Sequence, residues 1–179
     1  PVPGAAPVLL RRHARAFFQG NRYLLEPLVQ HVVAAVSPDA VLDLYAGVGL
    51  FGLSATAAGR GPVVCVEGDA VSGEDLLENA AKGGPAVQPV QAPVERYAGS
   101  PAASRLAPDT VIVDPPRTGM LPDTTRAVAR LARQRVVFVS CDPATFARDA
   151  KLLDEGGFSL SSLTVFDLFP NTAHVESVG

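Results

Sequence analysis

Apolar and polar positions alternate along this chain in blocks that predict strands and helices in turn. Short apolar runs bounded by turn residues predict seven strands, over 40–45, 62–67, 86–90, 109–113, 135–140, 159–166 and 173–178. Apolar residues at helical spacing predict five helices, over 21–36, 50–58, 70–82, 123–133 and 144–155. Alternating βα units imply an α/β fold with a mostly parallel, doubly wound sheet, and the last two strands, which have no helix between them, imply one antiparallel strand near the C-terminus.

The first predicted strand ends in a glycine turn, Asp43-Leu44-Tyr45-Ala46-Gly47-Val48-Gly49. Glycines here let the backbone turn tightly and approach a ligand. Phe51 stands where the dinucleotide fingerprint needs its third glycine, so a shorter ligand without a pyrophosphate fits better. Glu67 ends the next strand, about 20 residues on, the offset at which an acid binds ribose hydroxyls. Both features predict a nucleoside cofactor such as S-adenosylmethionine, and a structural turn with a solvated Glu67 is the alternative.

The fourth predicted strand ends in Asp114-Pro115-Pro116-Arg117 and is expected beside the first. Consecutive prolines cannot lie inside a sheet, so they form a stiff loop at the edge where ligands bind. They also restrict Asp114 to an extended conformation. The acid can then meet a cationic cofactor or the edge of a base, and a rigid turn with a capping aspartate is the alternative.

A thiol follows the fifth predicted strand, in Ser140-Cys141-Asp142-Pro143. If the last strand runs antiparallel beside the fifth, it begins where the fifth ends, which brings His174 and Glu176 towards Cys141. A thiol with a nearby base is typical of covalent catalysis. We expect the helix that begins near Pro143 to lower the pKa of the thiol. For His174, packing or hydrogen-bonding support is favoured over direct catalysis.

Composition narrows the class of protein. The 179 residues are 47% hydrophobic and 18% charged, which is typical of one soluble globular domain, and no apolar run has the length of a membrane helix. The net charge of −3 argues against binding nucleic acid by bulk charge. Four arginines, Arg11, Arg12, Arg15 and Arg22, surround Phe17-Phe18, and this cluster fits a phosphate-contacting patch and a solvated helix face equally well.

The N-terminus and the cysteines give further expectations. Residues 1–16, rich in proline and alanine at their start, are expected to be a flexible lead-in to a catalytic domain over 17–179. Because the chain opens on Pro1 rather than methionine, we expect it to be a piece of a longer protein. Cys65 lies in an apolar strand and is expected to pack as a small hydrophobe. With Cys141 it makes no disulfide framework, which favours the reducing cytoplasm.

Together these features resemble the class I S-adenosylmethionine-dependent methyltransferases, and specifically the RNA uracil-C5 methyltransferase family. The resemblance extends over most of the chain, from about 17 to 178, and the order of the motifs makes it specific. The matching segments are Phe17-Phe18-Gln19-Gly20-Asn21, Asp43-Leu44-Tyr45-Ala46-Gly47-Val48-Gly49-Leu50-Phe51-Gly52, Val66-Glu67, Glu78-Asn79-Ala80, Asp114-Pro115-Pro116-Arg117, Ser140-Cys141-Asp142-Pro143-Ala144-Thr145 and His174-Val175-Glu176.

The resemblance implies methyl transfer from S-adenosylmethionine to carbon 5 of a uridine in tRNA or rRNA. In that reaction Cys141 would be the nucleophile and Glu176 the general base. Members of the family usually carry an extra N-terminal RNA-binding module and an intervening domain, so we expect this chain to be a fragment that lacks them. The family often has cysteine where Ala46 stands. The resemblance implies no metal. Residues that would bind the cofactor or hold its site are Gln19, Asp43, Tyr45, Gly47, Gly49, Leu50, Glu67 and Asp114.

Two alternatives remain open at this stage. One is a methyltransferase of another substrate in which Cys141 is structural, and the other is a non-catalytic RNA-binding or scaffold fragment. A target base in RNA must be exposed or flipped from its stack. Phe17, Phe18 or Phe169 could stack on it, although core packing is favoured for each.

Overall fold

The computed structural model describes residues 5–16, 19–83, 86–172 and 175–179. Strands and helices alternate through the first five strands, and the hydrophobic pattern predicts this except between the third and fourth strands. In chain order the elements are α1 (Leu25–Ala35), β1 (Val41–Leu44), α2 (Leu50–Ala57), β2 (Val63–Glu67), α3 (Ala70–Gly83), β3 (Val87–Gln91), α4 (Val94–Ala98), α5 (Pro101–Leu106), β4 (Thr110–Val113), α6 (Pro122–Leu131), β5 (Arg135–Ser140), α7 (Pro143–Glu155), β6 (Thr164–Phe166) and β7 (Glu176–Val178).

The strands within the described residues form one sheet in the order β3-β2-β1-β4-β5-β7-β6. Strands β1 to β5 are parallel to one another, whereas β7 runs antiparallel to both β5 and β6. The predicted α/β class and the antiparallel strand near the C-terminus are therefore confirmed. Because the chain leaves β1 towards β2 and later returns to its other side as β4, the strand order reverses there. A crevice at the carboxyl ends of the strands is expected at such a point.

The central strands are buried on both faces, which explains why they read as nearly continuous apolar runs. Alternate residues of each strand enter two separate cores, one on each face of the sheet. In β1, for example, Val41 packs into one core and Leu42 into the other. In the described ranges, no helix is both long enough and apolar enough to cross a membrane.

Two regions differ from the sequence prediction. The final strand pair is shorter than predicted, because only Thr164–Phe166 of the segment 159–166 pairs with β7. Helices α4 and α5 were not predicted, since five or six residues are too few to show an apolar repeat. Helix α5 is set by local chemistry instead: Ser100 caps it by accepting a hydrogen bond from Ala103 N at 3.2 Å, and Pro101 occupies its first turn.

The segment over 5–16, expected to be a flexible lead-in, lies against α3. Buried Asn79 on that helix accepts a hydrogen bond from Arg11 N at 2.8 Å and donates one to Arg11 O at 2.8 Å. Its amide nitrogen also donates to Val48 O at 2.9 Å, in the glycine turn after β1. His13 N donates to the Asp75 carboxylate of the same helix. One asparagine therefore joins the N-terminal segment, α3 and the glycine turn.

Replacing Asn79 should destabilise the protein strongly. Asn79→Ala removes one buried and two partly buried hydrogen bonds and leaves Val48 O without its partner, so we expect the free energy of unfolding to fall by about 2–4 kcal/mol. Urea unfolding followed by circular dichroism measures the change, with Glu74→Ala at an exposed site on the same helix as the control. Equal stability of the two variants would contradict the bridging role of Asn79.

Candidate functional site

A cavity of about 950 Å³ opens at the carboxyl edge of the sheet, at the reversal of strand order. Its walls come from the loops after β1, β2, β4 and β5, from the start of β7 and from the N-terminal segment. Most of the residues predicted to carry function line it, namely Gln19, Tyr45, Gly47, Leu50, Glu67, Asp114, Cys141 and Glu176.

The antiparallel pairing of β7 with β5 brings Cys141 and Glu176 together. Ser140 pairs with Ser177, so one residue further along Cys141 comes opposite Glu176. Residues that face each other across an antiparallel pair project from the same side of the sheet. The predicted approach of Glu176 to Cys141 is therefore observed, although the two residues are 35 positions apart in sequence. His174 lies outside the described residues.

Glu176 is a buried carboxyl group without a hydrogen-bond partner among the described residues. The residue is only 1% exposed, and neither of its carboxylate oxygens accepts a well-formed hydrogen bond. Burial raises its pKa to about 7, and the nearby Gln19 amide opposes this rise. Gln19 is itself buried, with an unpartnered side-chain oxygen. A carboxyl group that titrates near neutral pH beside a thiol is suited to accept a proton.

The pKa of the Cys141 thiol is raised, contrary to the sequence prediction. Burial is the main cause and the charge of Glu176 the second, whereas the Arg117 guanidinium acts in the opposite direction. The N-terminal end of the helix that was expected to lower this pKa is already capped. The Asp142 side chain accepts a hydrogen bond from Thr145 N at 2.8 Å and places its own negative charge there. Arg117, which the sequence did not single out for this role, is the positive group beside the thiol.

Glu67 is tied to the glycine turn. One oxygen of its carboxylate accepts a hydrogen bond from Gly47 N at 2.7 Å, and the other accepts one from Asp69 N at 2.6 Å. Gly47 has a φ of 55°, and a Cβ built on it would have no atom within 4 Å. Glycine is therefore required at this position for its backbone conformation and leaves the turn open towards the cavity.

Asp43 and Gly49, both predicted to bind the cofactor, do not line the cavity. Asp43 is fully buried behind the turn, where its carboxylate accepts a hydrogen bond from Gly52 N at 2.8 Å. Burial raises the pKa of Asp43 to about 7. A Cβ on Gly49 would come 2.5 Å from a methyl carbon of Leu53, so this glycine serves close packing. Both residues support the loop from behind, so they could hold the cofactor site without lining it.

Asp114 and Tyr45 complete the wall on either side of the turn. Burial and the charge of Glu176 raise the pKa of Asp114 well above its usual range. Tyr45 adopts a φ of 60°, and its hydroxyl donates to Glu95 at 3.2 Å. Burial and the neighbouring Glu95 also raise the pKa of Tyr45. Three carboxyl groups of this region, those of Asp43, Asp114 and Glu176, thus have raised pKa values.

The predicted arginine cluster does not gather into one patch. Arg11 forms an ion pair with Glu78 on α3, and Arg22 donates to the Tyr23 hydroxyl at 2.8 Å. Arg15 instead lies at the cavity wall. The phenylalanine pair at 17–18 lies outside the described residues. The separate partners favour the solvated-surface interpretation for Arg11 and Arg22, and Arg15 is a site residue that the sequence pattern did not distinguish from its neighbours.

Solved structures share this architecture. The crystal structure of Pyrococcus abyssi tRNA (uracil-54, C5)-methyltransferase in complex with S-adenosyl-L-homocysteine matches with a TM-score of 0.81 and 34% identity, covering 93% of this chain and 40% of that one. Precorrin-6y C5,15-methyltransferase from Geobacter metallireducens matches with a TM-score of 0.69 and 15% identity, covering 94% and 91% of the two chains. The strand order and the position of the cavity define a class I S-adenosylmethionine-dependent methyltransferase fold.

Residues 96–178 match the model of the tRNA (Uracil-5-)-methyltransferase family, and the similarity to RNA methyltransferases extends over most of the chain. The tRNA (uracil(54)-C(5))-methyltransferase of Pyrococcus abyssi is 39% identical over 172 residues, which cover 93% of this chain and 38% of the relative. An RNA methyltransferase of Thermotoga maritima is 37% identical over 170 residues, covering 90% and 37%. The chain thus spans less than two fifths of the length of these curated relatives.

Replacing Glu176 should stabilise the protein at high pH. The pKa of Glu176 rises from an ordinary 4.5 to about 7 on folding. The folded state therefore holds this proton more tightly, and stability falls as the pH rises through that interval. Glu176→Gln cannot lose the proton, so its free energy of unfolding should exceed that of the wild type by up to about 3 kcal/mol at pH 8.

Urea unfolding at pH 4 and pH 8 measures this difference. At pH 4 the two proteins should be nearly equally stable, because Glu176 of the wild type is then mostly protonated in the folded and in the unfolded state. Glu74→Gln, at an exposed position, is the control and should show little change at either pH. A Glu176→Gln variant less stable than the wild type at pH 8 would contradict the burial effect.

Proposed function

We propose that this chain transfers a methyl group from S-adenosylmethionine to carbon 5 of a uridine in tRNA or rRNA, through a temporary bond between Cys141 and carbon 6. One observation carries the proposal: the Cys141 thiol, the buried Glu176 carboxyl group and Glu67 line the same cavity. The similar proteins of Thermotoga maritima and Pyrococcus abyssi, an RNA methyltransferase and a tRNA (uracil(54)-C(5))-methyltransferase, support methyl transfer to RNA.

The cavity suits a nucleoside that carries a positive charge. Glu67, at the end of β2, would bind the ribose hydroxyls, and the open turn at Gly47 would let the ligand approach the backbone. Few hydrogen bonds or positive charges stabilise the ionised forms of Asp114 and Glu176, so a cation beside these acids would be favoured. Bound S-adenosylmethionine supplies an electrophilic methyl group on a sulfonium cation. Gln19 and Tyr45 would hold the site around it.

Carbon 5 of uracil is a poor nucleophile, and Cys141 overcomes this. Its thiolate attacks carbon 6, so a sulfur–carbon bond forms and the double-bond electrons move towards carbon 5 and the neighbouring carbonyl oxygen. Carbon 5 then takes the methyl group as the methyl–sulfonium bond breaks, which leaves S-adenosylhomocysteine. Glu176 removes the proton from carbon 5, and the released electrons restore the ring double bond and expel Cys141.

Formation of the thiolate depends on positive charge, because burial and Glu176 raise the pKa of Cys141. We assign this charge to Arg117 and to the cationic cofactor rather than to the helix after Cys141. Glu176 must be ionised when it removes the proton, and a pKa near 7 allows both proton uptake and release at neutral pH.

The substrate base must leave its stack to reach Cys141. Phe169 is half-buried at the cavity wall and offers an aromatic face there. A tight turn holds it, because Thr172 donates to Phe169 O through both its backbone nitrogen at 3.2 Å and its hydroxyl at 2.7 Å. Both cysteines are free thiols, and a catalytic thiol needs reducing conditions, so we propose a cytoplasmic location.

A covalent adduct with RNA tests the reaction. Fluorine at carbon 5 cannot leave as a cation, so 5-fluorouridine-containing tRNA or rRNA should trap the Cys141 adduct after methyl transfer. We expect a gel-shifted complex that is absent in Cys141→Ala. With normal RNA, Glu176→Gln should accumulate the adduct and lower turnover by roughly 10²–10⁴-fold. Unchanged turnover in Glu176→Gln would exclude it as the base.

Calorimetry with S-adenosylhomocysteine tests the cofactor site separately from RNA. Loss of the charged hydrogen-bond acceptor in Glu67→Gln should weaken binding by about tenfold or more. Glu74→Gln, on the helix that follows β2 but exposed, should bind like the wild type. No binding by the wild-type chain would favour a scaffold role over catalysis.

A further inference from the structure

An ion pair on α7 fastens the loop that follows β4. Asp149 is fully buried, and one oxygen of its carboxylate accepts a hydrogen bond from Met120 N at 2.8 Å. The other oxygen accepts one from Arg148 Nε at 2.8 Å. Burial of a carboxylate is tolerated only when it is paired and hydrogen-bonded, and both conditions are met here.

Arg148 extends the attachment to two carbonyl groups of the same loop. Its Nη2 donates to Thr118 O at 3.0 Å and to Met120 O at 3.1 Å. The planar guanidinium group can make these bonds together with the one to Asp149, because its donors are fixed in one plane. The pair therefore holds three backbone groups of the loop against α7.

The loop is shaped to accept this pair. Gly119 N donates to Pro116 O at 2.7 Å, which closes a turn with Arg117 and Thr118 at its tip. Gly119 has a φ of 71°, and a Cβ there would overlap both Arg148 Nη2 and the Asp149 carboxylate. Glycine is thus needed for the backbone conformation and for the close approach of the ion pair.

The same helix is rigidly joined to the thiol. Cys141 immediately precedes the Asp142 cap of α7, and Arg117 lies on the fastened loop; both line the cavity. We propose that the Arg148–Asp149 pair is a positioning unit that holds Arg117 beside the Cys141 sulfur. Neither Arg148 nor Asp149 is among the residues that line the cavity, so the pair acts through the loop. A role of this unit in catalysis rests on the proposed function, whereas its effect on the pKa of the Cys141 thiol does not.

The rate of Cys141 alkylation by iodoacetamide as a function of pH tests the proposal without RNA or cofactor. Mass spectrometry of the Cys141 peptide separates it from buried Cys65. In Arg148→Gln the loop is released and Arg117 moves away, so the midpoint of the profile should rise by roughly one pH unit. Arg148→Lys, which keeps the charge but loses the planar fork, should show a partial rise.

A double-variant cycle separates positioning from other effects. Arg117→Gln alone should raise the midpoint by a similar amount, and Arg148→Gln added to it should cause no further rise. Arg126→Gln, which removes an exposed ion pair with Asp123 on α6, is the matched control and should leave the midpoint unchanged.

Two results would overturn the proposal. The first is an alkylation midpoint in folded Arg148→Gln that equals that of the wild type. The second is a full further rise in the midpoint when Arg148→Gln is added to Arg117→Gln, which would mean that Arg148 acts independently of Arg117. If Arg148→Gln does not fold, the same criteria apply to Arg148→Lys. The Arg148 variants should still bind S-adenosylhomocysteine. If neither the wild type nor any variant binds it, that result would count against the proposed function and not against the positioning unit.

Discussion

The site depends on the antiparallel pairing of β7 with β5. Phe138 and Gly179 exchange two backbone hydrogen bonds, at 2.9 and 3.0 Å, and Ser140 pairs with Ser177. This register places Glu176 opposite Cys141. A slip of one residue would turn the Glu176 side chain to the other face of the sheet, away from the thiol. Loops on the parallel strands can vary, but the position of Glu176 opposite Cys141 is set by the register of the sheet itself.

Burial of acids is the second shared feature of this edge. Asp43, Asp114 and Glu176 all lie where their charged forms are disfavoured, although only Asp43 has a clear structural use for its carboxylate. Such groups lower stability and are retained at functional sites, where a ligand compensates for them. The Asp149 carboxylate is the contrasting case in the same molecule, because hydrogen bonds from Arg148 and Met120 satisfy it fully.

Sequence reasoning succeeded where topology or a fixed offset connects residues. The approach of Glu176 to Cys141 followed from the direction of the last strand, and Glu67 from its distance to the glycine turn. Prediction from the sequence failed where a feature depends on local packing, on neighbouring charges or on a very short element. Burial and the charge of Glu176 raise the pKa of Cys141, which was expected to be lowered, and short α4 gives no periodic signal. Arg148 and Asp149 look like polar positions of an ordinary surface helix, since nothing in the pattern shows the loop that covers them.

The acids around the cavity share one electrostatic field, since Glu176, Asp43 and Glu67 each raise the pKa of Asp114. A cation that enters this field lowers the raised pKa values of Asp114 and Glu176 and so displaces protons into solvent. Its affinity is therefore linked to pH, whereas that of a neutral ligand of the same shape is much less so. In the proposed reaction the sulfonium loses its charge when the methyl group departs. The carboxyl groups that attract S-adenosylmethionine thus bind the neutral S-adenosylhomocysteine less tightly. Methyl transfer itself therefore favours exchange of the product for new cofactor.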